Sequence, residues 1–142
     1  QAAKDYVFDI DRFISFEGNT GPYILYTIVR IKSILGKYEA QNPGTKAETI
    51  LPAASDAEKA LMLELSKYND VMENAFVETA PHKICQYIFD LSNAFNSFYH
   101  DTRILAEEDK ERQASWIALI TLVKRVLEAC IQVLGFEAPE RM

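Results

Sequence analysis

Apolar residues recur at helical spacing through most of this 142-residue chain. Between residues 84 and 98 they follow the spacing i, i+4, i+7, i+11 and i+14, which places them on one face of an α-helix. These residues are Ile84, Ile88, Leu91, Phe95 and Phe98. A second broad apolar face extends from Trp116 to Leu134, and no segment shows convincing strand alternation. The pattern predicts an all-α fold in which helices bury these faces against one another.

Turn and capping residues predict where the first long helix begins and ends. Thr20 follows a glycine-rich turn and can accept a backbone hydrogen bond as N-cap, and Pro22 suits the first helical turn. The helix is predicted to run from residue 22 to residue 35 or 37, with Gly36 as its stop. Residues 38–54 contain Asn-Pro-Gly and are predicted to form a linker.

The other helix boundaries are predicted from the same kinds of signal. They are a capping box over 55–58, a break at Asn69 or Asp70, a start at Pro81, an end at 100–102, and a last helix over about 109–134 that stops at Gly135. Mostly short connections make neighbouring helices antiparallel. The predicted fold is therefore an antiparallel bundle of about five helices.

Composition supports a folded core and limits the classes of function. Hydrophobic residues make up 49% of the chain, but no apolar run approaches the roughly 20 residues of a membrane span. Cys85 and Cys130 fall within helical apolar patterns, which predicts buried free thiols and a cytoplasmic location. The net charge of −6 argues against a general, charge-driven nucleic-acid binder. The chain begins at Gln1 rather than Met, which suggests a piece of a longer protein.

The first predicted helix carries a polar face that is suited to nucleic-acid chemistry. At about 100° per residue, five side chains fall within roughly 80° of one another, and they are Tyr23, Tyr26, Arg30, Ser33 and Lys37. Tyrosine rings can stack on unpaired bases, and a guanidinium can stack or contact phosphate. An amphipathic core helix with half-buried tyrosines would show the same spacing.

Three stretches of the chain, in order, resemble arginyl-tRNA synthetases. They are Ser15-Phe16-Glu17-Gly18-Asn19-Thr20-Gly21-Pro22-Tyr23 with Tyr26 and Arg30, then Ala80-Pro81-His82-Lys83-Ile84-Cys85-Gln86-Tyr87 leading to Phe95-Asn96-Ser97-Phe98-Tyr99, and finally Leu134-Gly135-Phe136-Glu137-Ala138-Pro139-Glu140-Arg141-Met142. The resemblance implies a DALR-type anticodon-binding bundle over residues 16–142. Residues 1–15 would then be a junction that follows the catalytic domain.

The same resemblance implies a set of tRNA-binding residues and a role for the full-length protein. The implied anticodon-binding residues are Tyr23, Tyr26, Arg30, Tyr99, Arg103 and Met142. The full-length enzyme would be a monomeric arginine-tRNA ligase that uses ATP with Mg to attach arginine to tRNA-Arg. The partners of this domain would be the anticodon loop and the catalytic domain of the same chain.

The residues of this chain offer no convincing catalytic or metal site. The family's His-Ile-Gly-His-type and Lys-Met-Ser-Lys-type signatures are missing from the sequence, so this piece alone is predicted to be inactive and to hold no cofactor. His82 with Cys85 supplies too few ligands for structural zinc, and Asp9 with Asp11 falls short of a calcium loop.

A second class of function stays open at this point. The bundle could be a helical protein-interaction module that binds another helix through its apolar faces. Convergence of Tyr23, Arg30 and Tyr99 on one exposed patch would favour nucleic-acid binding, whereas an exposed aliphatic groove would favour a protein partner.

Overall fold

The computed structural model describes residues 7, 9–15 and 17–142, without the side chains of Arg12 and Phe13. Its α-helices are α1 (Ile10–Phe13), α2 (Gly21–Gln41), α3 (Asp56–Ser66), α4 (Tyr68–Val77), α5 (Pro81–Asp101) and α6 (Lys110–Val133), with a 3₁₀ turn at Ile104–Ala106. No β-strand occurs in these described ranges, and the predicted all-α class is confirmed. Phe16 and parts of the predicted junction, residues 1–6 and 8, lie outside the described residues.

The core is built around α5, which packs against α2, α3, α4 and α6. The apolar stripe predicted for this helix is buried along its whole length, with each of its five residues at most 5% exposed. Phe95 and Phe98 are completely inaccessible. Truncating one such aromatic to alanine typically costs about 3–5 kcal/mol, so this stripe holds the position of α5 in the bundle.

The start of α2 agrees with its capping prediction. The Thr20 hydroxyl oxygen accepts a hydrogen bond of 3.4 Å from the backbone N–H of Tyr23. The same hydroxyl donates to the carbonyl oxygen of Ser15 at 2.6 Å, which closes the turn that precedes the helix. Pro22 occupies the first turn, where its missing N–H costs nothing.

The predicted stop of α2 at Gly36 is wrong. The helix continues to Gln41 because Tyr38, two residues further on, is only 5% exposed and extends the buried face. A glycine inside a helix costs about 1 kcal/mol, which the burial of such a ring exceeds. The helix ends immediately before Asn42-Pro43-Gly44, where Gly44 takes a positive φ of 72°. The linker is therefore shorter than the predicted 38–54.

Ser55 caps α3 as the predicted capping box requires, but the Glu58 side chain reaches one residue beyond the cap, and the predicted break at Asn69 or Asp70 is misplaced. Ser55 Oγ accepts from the N–H of Glu58 at 3.1 Å, and the Glu58 carboxylate accepts from the N–H of Ala54 at 2.8 Å. The chain bends at Lys67 instead, and α4 begins at Tyr68. In this arrangement the Tyr68 ring, at the start of α4, lies 6.5 Å from the ring of Tyr87 on α5.

The boundaries of α5 and α6 agree with the predictions to within one residue. Pro81 opens α5, and Asp109 caps α6 by accepting from the N–H groups of Glu111 and Arg112 at 3.0 and 3.1 Å. Gly135 follows α6 with a positive φ of 89°.

The two cysteines are free thiols that differ in burial. Cys130 is completely inaccessible, and burial raises its pKa to about 11. Cys85 is only partly buried, so the prediction of two buried thiols is wrong for this residue. It follows Ile84 by one position, which turns it about 100° away from the buried stripe. In the described part of the chain, no helix combines the length and the apolar character needed to cross a membrane.

Candidate nucleic-acid interface

A cation lies between two aromatic rings where α2 meets α5. The Arg30 guanidinium carbon is 4.7 Å from the ring centroid of Tyr26 and 5.5 Å from that of Tyr99. Arg30 and Tyr26 are four residues apart on α2, so they share one face, whereas Tyr99 comes from the last turn of α5. Both distances fall within the range of cation–π attraction. Tyr26 is 43% exposed and Tyr99 is 37% exposed, so both rings also face solvent.

Two asparagines on α5 join these α2 side chains in one hydrogen-bonded chain. Arg30 donates to Asn96 Oδ1 at 2.8 Å, and Asn96 Nδ2 donates to the Tyr23 hydroxyl at 2.9 Å. The Tyr23 hydroxyl in turn donates to Asn93 Oδ1 at 2.6 Å. Neither asparagine was among the predicted site residues. The available signal was the regular spacing of Asn93, Asn96 and Tyr99, which makes successive polar side chains neighbours on the surface of α5.

Two of the tyrosine rings rest on aromatic side chains of α5, of which Phe95 is buried and Phe89 is partly buried. Tyr99 stacks on the buried ring of Phe95, with centroids 6.0 Å apart and an interplanar angle of 21°. The Tyr23 ring lies 5.7 Å from that of Phe89, at a tilt of 58°. These contacts fix the ring orientations before any ligand arrives, which lowers the entropic cost of binding.

Two adjoining cavities bring all six predicted site residues together. The first, here called the tyrosine pocket, has a volume of about 520 Å³ and is lined by Tyr23, Tyr26, Arg30, Asn96 and Met142. The second, here called the arginine groove, has a volume of about 680 Å³, and its polar lining includes Tyr26, Arg30, Ser33, Lys37, Tyr99, His100, Thr102 and Arg103. Tyr26 and Arg30 line both cavities, so the two form one continuous surface.

Arg103 reaches this surface from outside α5. The helix ends at Asp101, and Arg103 precedes the 3₁₀ turn, where its carbonyl oxygen accepts from the N–H of Ala106 at 3.0 Å. Its side chain is exposed and lines the arginine groove.

The segment after α6 crosses α2 and carries Met142 to the tyrosine pocket. Lys32 holds it by donating to Glu140 Oε1 at 2.6 Å and to the carbonyl oxygen of Pro139 at 3.4 Å. The hydrogen bond between them raises the pKa of Lys32 and lowers that of the Glu140 carboxyl. Lys32 was not a predicted site residue because it lies about 200° around α2 from Arg30. Met142 is 54% exposed at the pocket.

The chemistry of this surface suits single-stranded nucleic acid. Exposed aromatic faces can stack on splayed bases, and side-chain amides and hydroxyls can contact base edges. Within the described ranges, no group of three or more His, Cys, Asp or Glu residues could hold a metal ion.

Comparison with known proteins identifies the family. Residues 24–142 match the family model of the DALR anticodon binding domain. The whole chain is 62% identical to an arginine–tRNA ligase from Agathobacter rectalis and 57% identical to one from Alkaliphilus oremlandii, and it covers 24% of each. A crystal structure of arginyl-tRNA synthetase from Plasmodium falciparum matches 98% of this chain and 24% of that chain, at 29% identity and a TM-score of 0.80.

The chain spans about a quarter of the curated relatives that it matches. These matches do not favour the protein-interaction module that the sequence left open. Because the family model covers most of the chain, this protein belongs to the DALR anticodon binding domain family.

Proposed function

We propose that this chain is the anticodon-binding domain of an arginyl-tRNA synthetase and that it binds the anticodon loop of tRNA-Arg. The residues proposed to contact the loop are Tyr23, Tyr26, Arg30, Tyr99, Arg103 and Met142. The observation that carries the proposal is the position of Arg30, which lies against exposed rings from two helices, at a surface shared by both cavities.

In this proposal an unstacked base enters the tyrosine pocket. The exposed ring of Tyr26 offers a stacking face, and the thioether of Met142 lines the same pocket. Asn96 and the Tyr23 hydroxyl, already ordered by their mutual hydrogen bond, keep lone pairs that a base edge can use. Specificity then comes from a few fixed contacts rather than from net charge, which is −6 for this chain.

The proposal extends to the longer protein that the relatives represent. There the catalytic domain of the same chain would attach arginine to tRNA-Arg, with ATP and Mg supplied to that domain. Residues 1–15 would form the junction and residues 16–142 the binding domain. The exposed side chains of Val7, Ile10 and Ile14, each more than 60% accessible, support a segment that packs against another part of such a protein.

We also propose that the protein acts as a monomer in the cytoplasm. A core completed by the helices of one chain supports the monomeric state, and two unpaired thiols suit a reducing compartment.

The decisive experiment is a titration of the chain with anticodon stem-loop RNAs, followed by fluorescence anisotropy. A tRNA-Arg stem-loop is compared with one that has the same stem and a different anticodon. We expect tighter binding of the tRNA-Arg loop. Equal affinity for both loops, or for the stem closed by an unrelated loop, would refute the proposed function.

A further inference from the structure

The arginine groove continues beyond the aromatic rings into a basic region that the proposed contacts leave mostly unused. Lys37 lies seven residues after Arg30 on α2, about 10 Å further along the helix axis. Arg103 faces the same groove from the chain that follows α5. Of the described residues that line the groove, none is an aspartate or a glutamate.

The cations in this groove differ from five other basic residues of the chain because they have no carboxylate partner among the described residues. Five basic residues elsewhere form ion pairs with carboxylates, and they are Lys32, Lys67, Lys83, Arg112 and Lys124. Within the described part of the chain, no carboxylate pairs with Lys37 or Arg103, and Arg30 is bonded to the neutral Asn96. The groove therefore keeps an uncompensated positive charge on a protein whose net charge is −6.

Neutral hydrogen-bond donors accompany the cations. Ser33 is exposed on α2 and Thr102 is partly buried at the end of α5, and both hydroxyls line the groove. Hydroxyl and guanidinium or ammonium groups around one concave surface are the donors that phosphate oxygens use in protein–nucleic acid complexes.

We infer that the arginine groove binds a phosphodiester group of the RNA backbone, with Lys37 and Arg103 as its cationic contacts. This inference rests on the proposed function, since the bound strand is the one whose base occupies the tyrosine pocket. Arg30 lines both cavities, so the base and its neighbouring phosphate are held on either side of a single guanidinium. The groove positions the strand, and the tyrosine pocket reads it.

The test measures how RNA affinity depends on salt for Lys37→Gln, Arg103→Gln and the double variant. The matched control is Lys83→Gln, which removes the same charge from the first turn of α5, about 27 Å along that helix from its last residue, Asp101. The probe is the tRNA-Arg anticodon stem-loop, titrated between about 50 and 200 mM salt, a range over which phosphate contacts weaken strongly. We expect each groove substitution to reduce the slope of log K against log salt concentration by about 0.7–1, and the control to leave it unchanged.

A second probe locates the contact on the RNA. Stem-loops that carry one neutral methylphosphonate linkage at successive loop positions should bind the parent chain more weakly at one position. The double variant should show no further loss at that position. Slopes equal to those of Lys83→Gln, or a loss that is the same at every linkage, would overturn the phosphodiester site.

The two proposals fail differently in these measurements. A parent chain that does not prefer the tRNA-Arg loop refutes the proposed function, whatever its salt dependence. A parent chain that keeps this preference, with groove variants that lose the preference but keep the parental slope, refutes the phosphodiester site alone, because Lys37 and Arg103 would then read bases.

Discussion

Asn96 accepts a hydrogen bond of 2.8 Å from the guanidinium of Arg30. This contact links the middle of α2 to α5 and leaves the cation against the Tyr26 ring. The long, flexible side chain of Arg30 is thereby held in one orientation before RNA arrives, which lowers the entropic cost of binding.

Asn96→Ala should weaken stem-loop binding by about 1 kcal/mol, roughly fivefold, because Arg30 loses its acceptor and the tyrosine pocket loses an amide that a base edge can use. Asn96→Asp should bind more weakly still, since a carboxylate holds Arg30 but cancels its charge next to RNA. Anisotropy titrations of both variants measure the effect. Arg30→Gln completes a double-mutant cycle, in which the alanine substitution should cost less than it does in the parent, because the part of its effect that acts through Arg30 is already lost. Parental affinity of Asn96→Ala would show that the hydrogen bond does not position Arg30.

Tyr26→Ala should reduce stem-loop affinity by about 1–3 kcal/mol, the usual contribution of one base–aromatic stack. The free energy of unfolding should fall by only about 0.5–1 kcal/mol, because Tyr26 is 43% exposed, alanine is a strong helix former, and the contact with Arg30 is lost. Tyr26→Phe keeps the stacking face and should bind within about twofold of the parent. Similar losses for the alanine and phenylalanine variants would argue against a stacked base at this ring.

Substituting Tyr23 gives a comparison for Tyr26, because the hydroxyl and the ring of Tyr23 both contact α5 and contribute to packing. Tyr23→Ala should lower both RNA affinity and the free energy of unfolding. Comparing urea denaturation of the Tyr23 and Tyr26 variants separates the loss of a binding contact from the loss of packing.

Local signals predicted most of the fold. The buried stripe of α5 and the caps of α2, α3 and α6 depend on residues within one or two helical turns, and such patterns are visible in a sequence. The stop expected at Gly36 was wrong because Tyr38 gains more by burial than a helical glycine costs. That comparison depends on tertiary packing.

Only part of the candidate site was predicted, because the rest of it also depends on tertiary packing. Helical periodicity groups Tyr23, Tyr26 and Arg30 on one face, whereas Tyr99 and Met142 entered only through resemblance to a family. The bonds that assemble the site join distant residues, 66 apart for Arg30 and Asn96 and 108 apart for Lys32 and Glu140. Pairing over such separations depends on how helices align in the bundle, which local patterns do not encode.

The contact between Lys32 and Glu140 should keep Met142 in the tyrosine pocket over a defined pH range. The folded pKa of Glu140 is lowered, so its contribution to docking is complete above its ordinary pKa of about 4.3 and is lost as pH falls through the folded value. The folded pKa of Lys32 is raised, so its contribution is complete below about pH 10.4 and is lost as pH rises through the folded value. Docking should therefore be constant from about pH 5 to pH 10.

NMR of methyl-labelled methionine can follow this docking, since the chain has three methionines. The Met142 methyl signal should be shifted by the nearby tyrosine rings in the parent, and Glu140→Gln or Lys32→Gln should move it toward the value of an unstructured peptide. Glu137→Gln, an exposed change in the same segment, is the matched control and should leave the signal in place. An unchanged signal in Glu140→Gln would mean that other contacts hold the segment.

Thr79 and Gly135 occupy equivalent positions after α4 and α6, and only one of them is a glycine. Both have positive φ, 51° for Thr79 and 89° for Gly135. After α4 the N–H of Thr79 donates to the carbonyl of Phe76 and that of Ala80 donates to Ala75, the pattern of a Schellman cap. The corresponding bonds after α6 run from Gly135 to Gln132 and from Phe136 to Ile131. A β-branched residue is strained in this conformation.

Placing glycine at the first cap and removing it from the second should change the free energy of unfolding in opposite directions. Thr79→Gly should raise the free energy of unfolding by roughly 0.5–1 kcal/mol, because the left-handed conformation costs an L-residue about 1–2 kcal/mol and glycine returns part of that in chain entropy. Gly135→Ala should lower it by about 1 kcal/mol. Apart from the two residues adjoining Gly135 in the chain, no described atom lies within 4 Å of the added methyl group, so its cost is conformational. Urea denaturation of both variants gives the two differences, and a destabilised Thr79→Gly would show that the threonine side chain makes a compensating contribution to the cap.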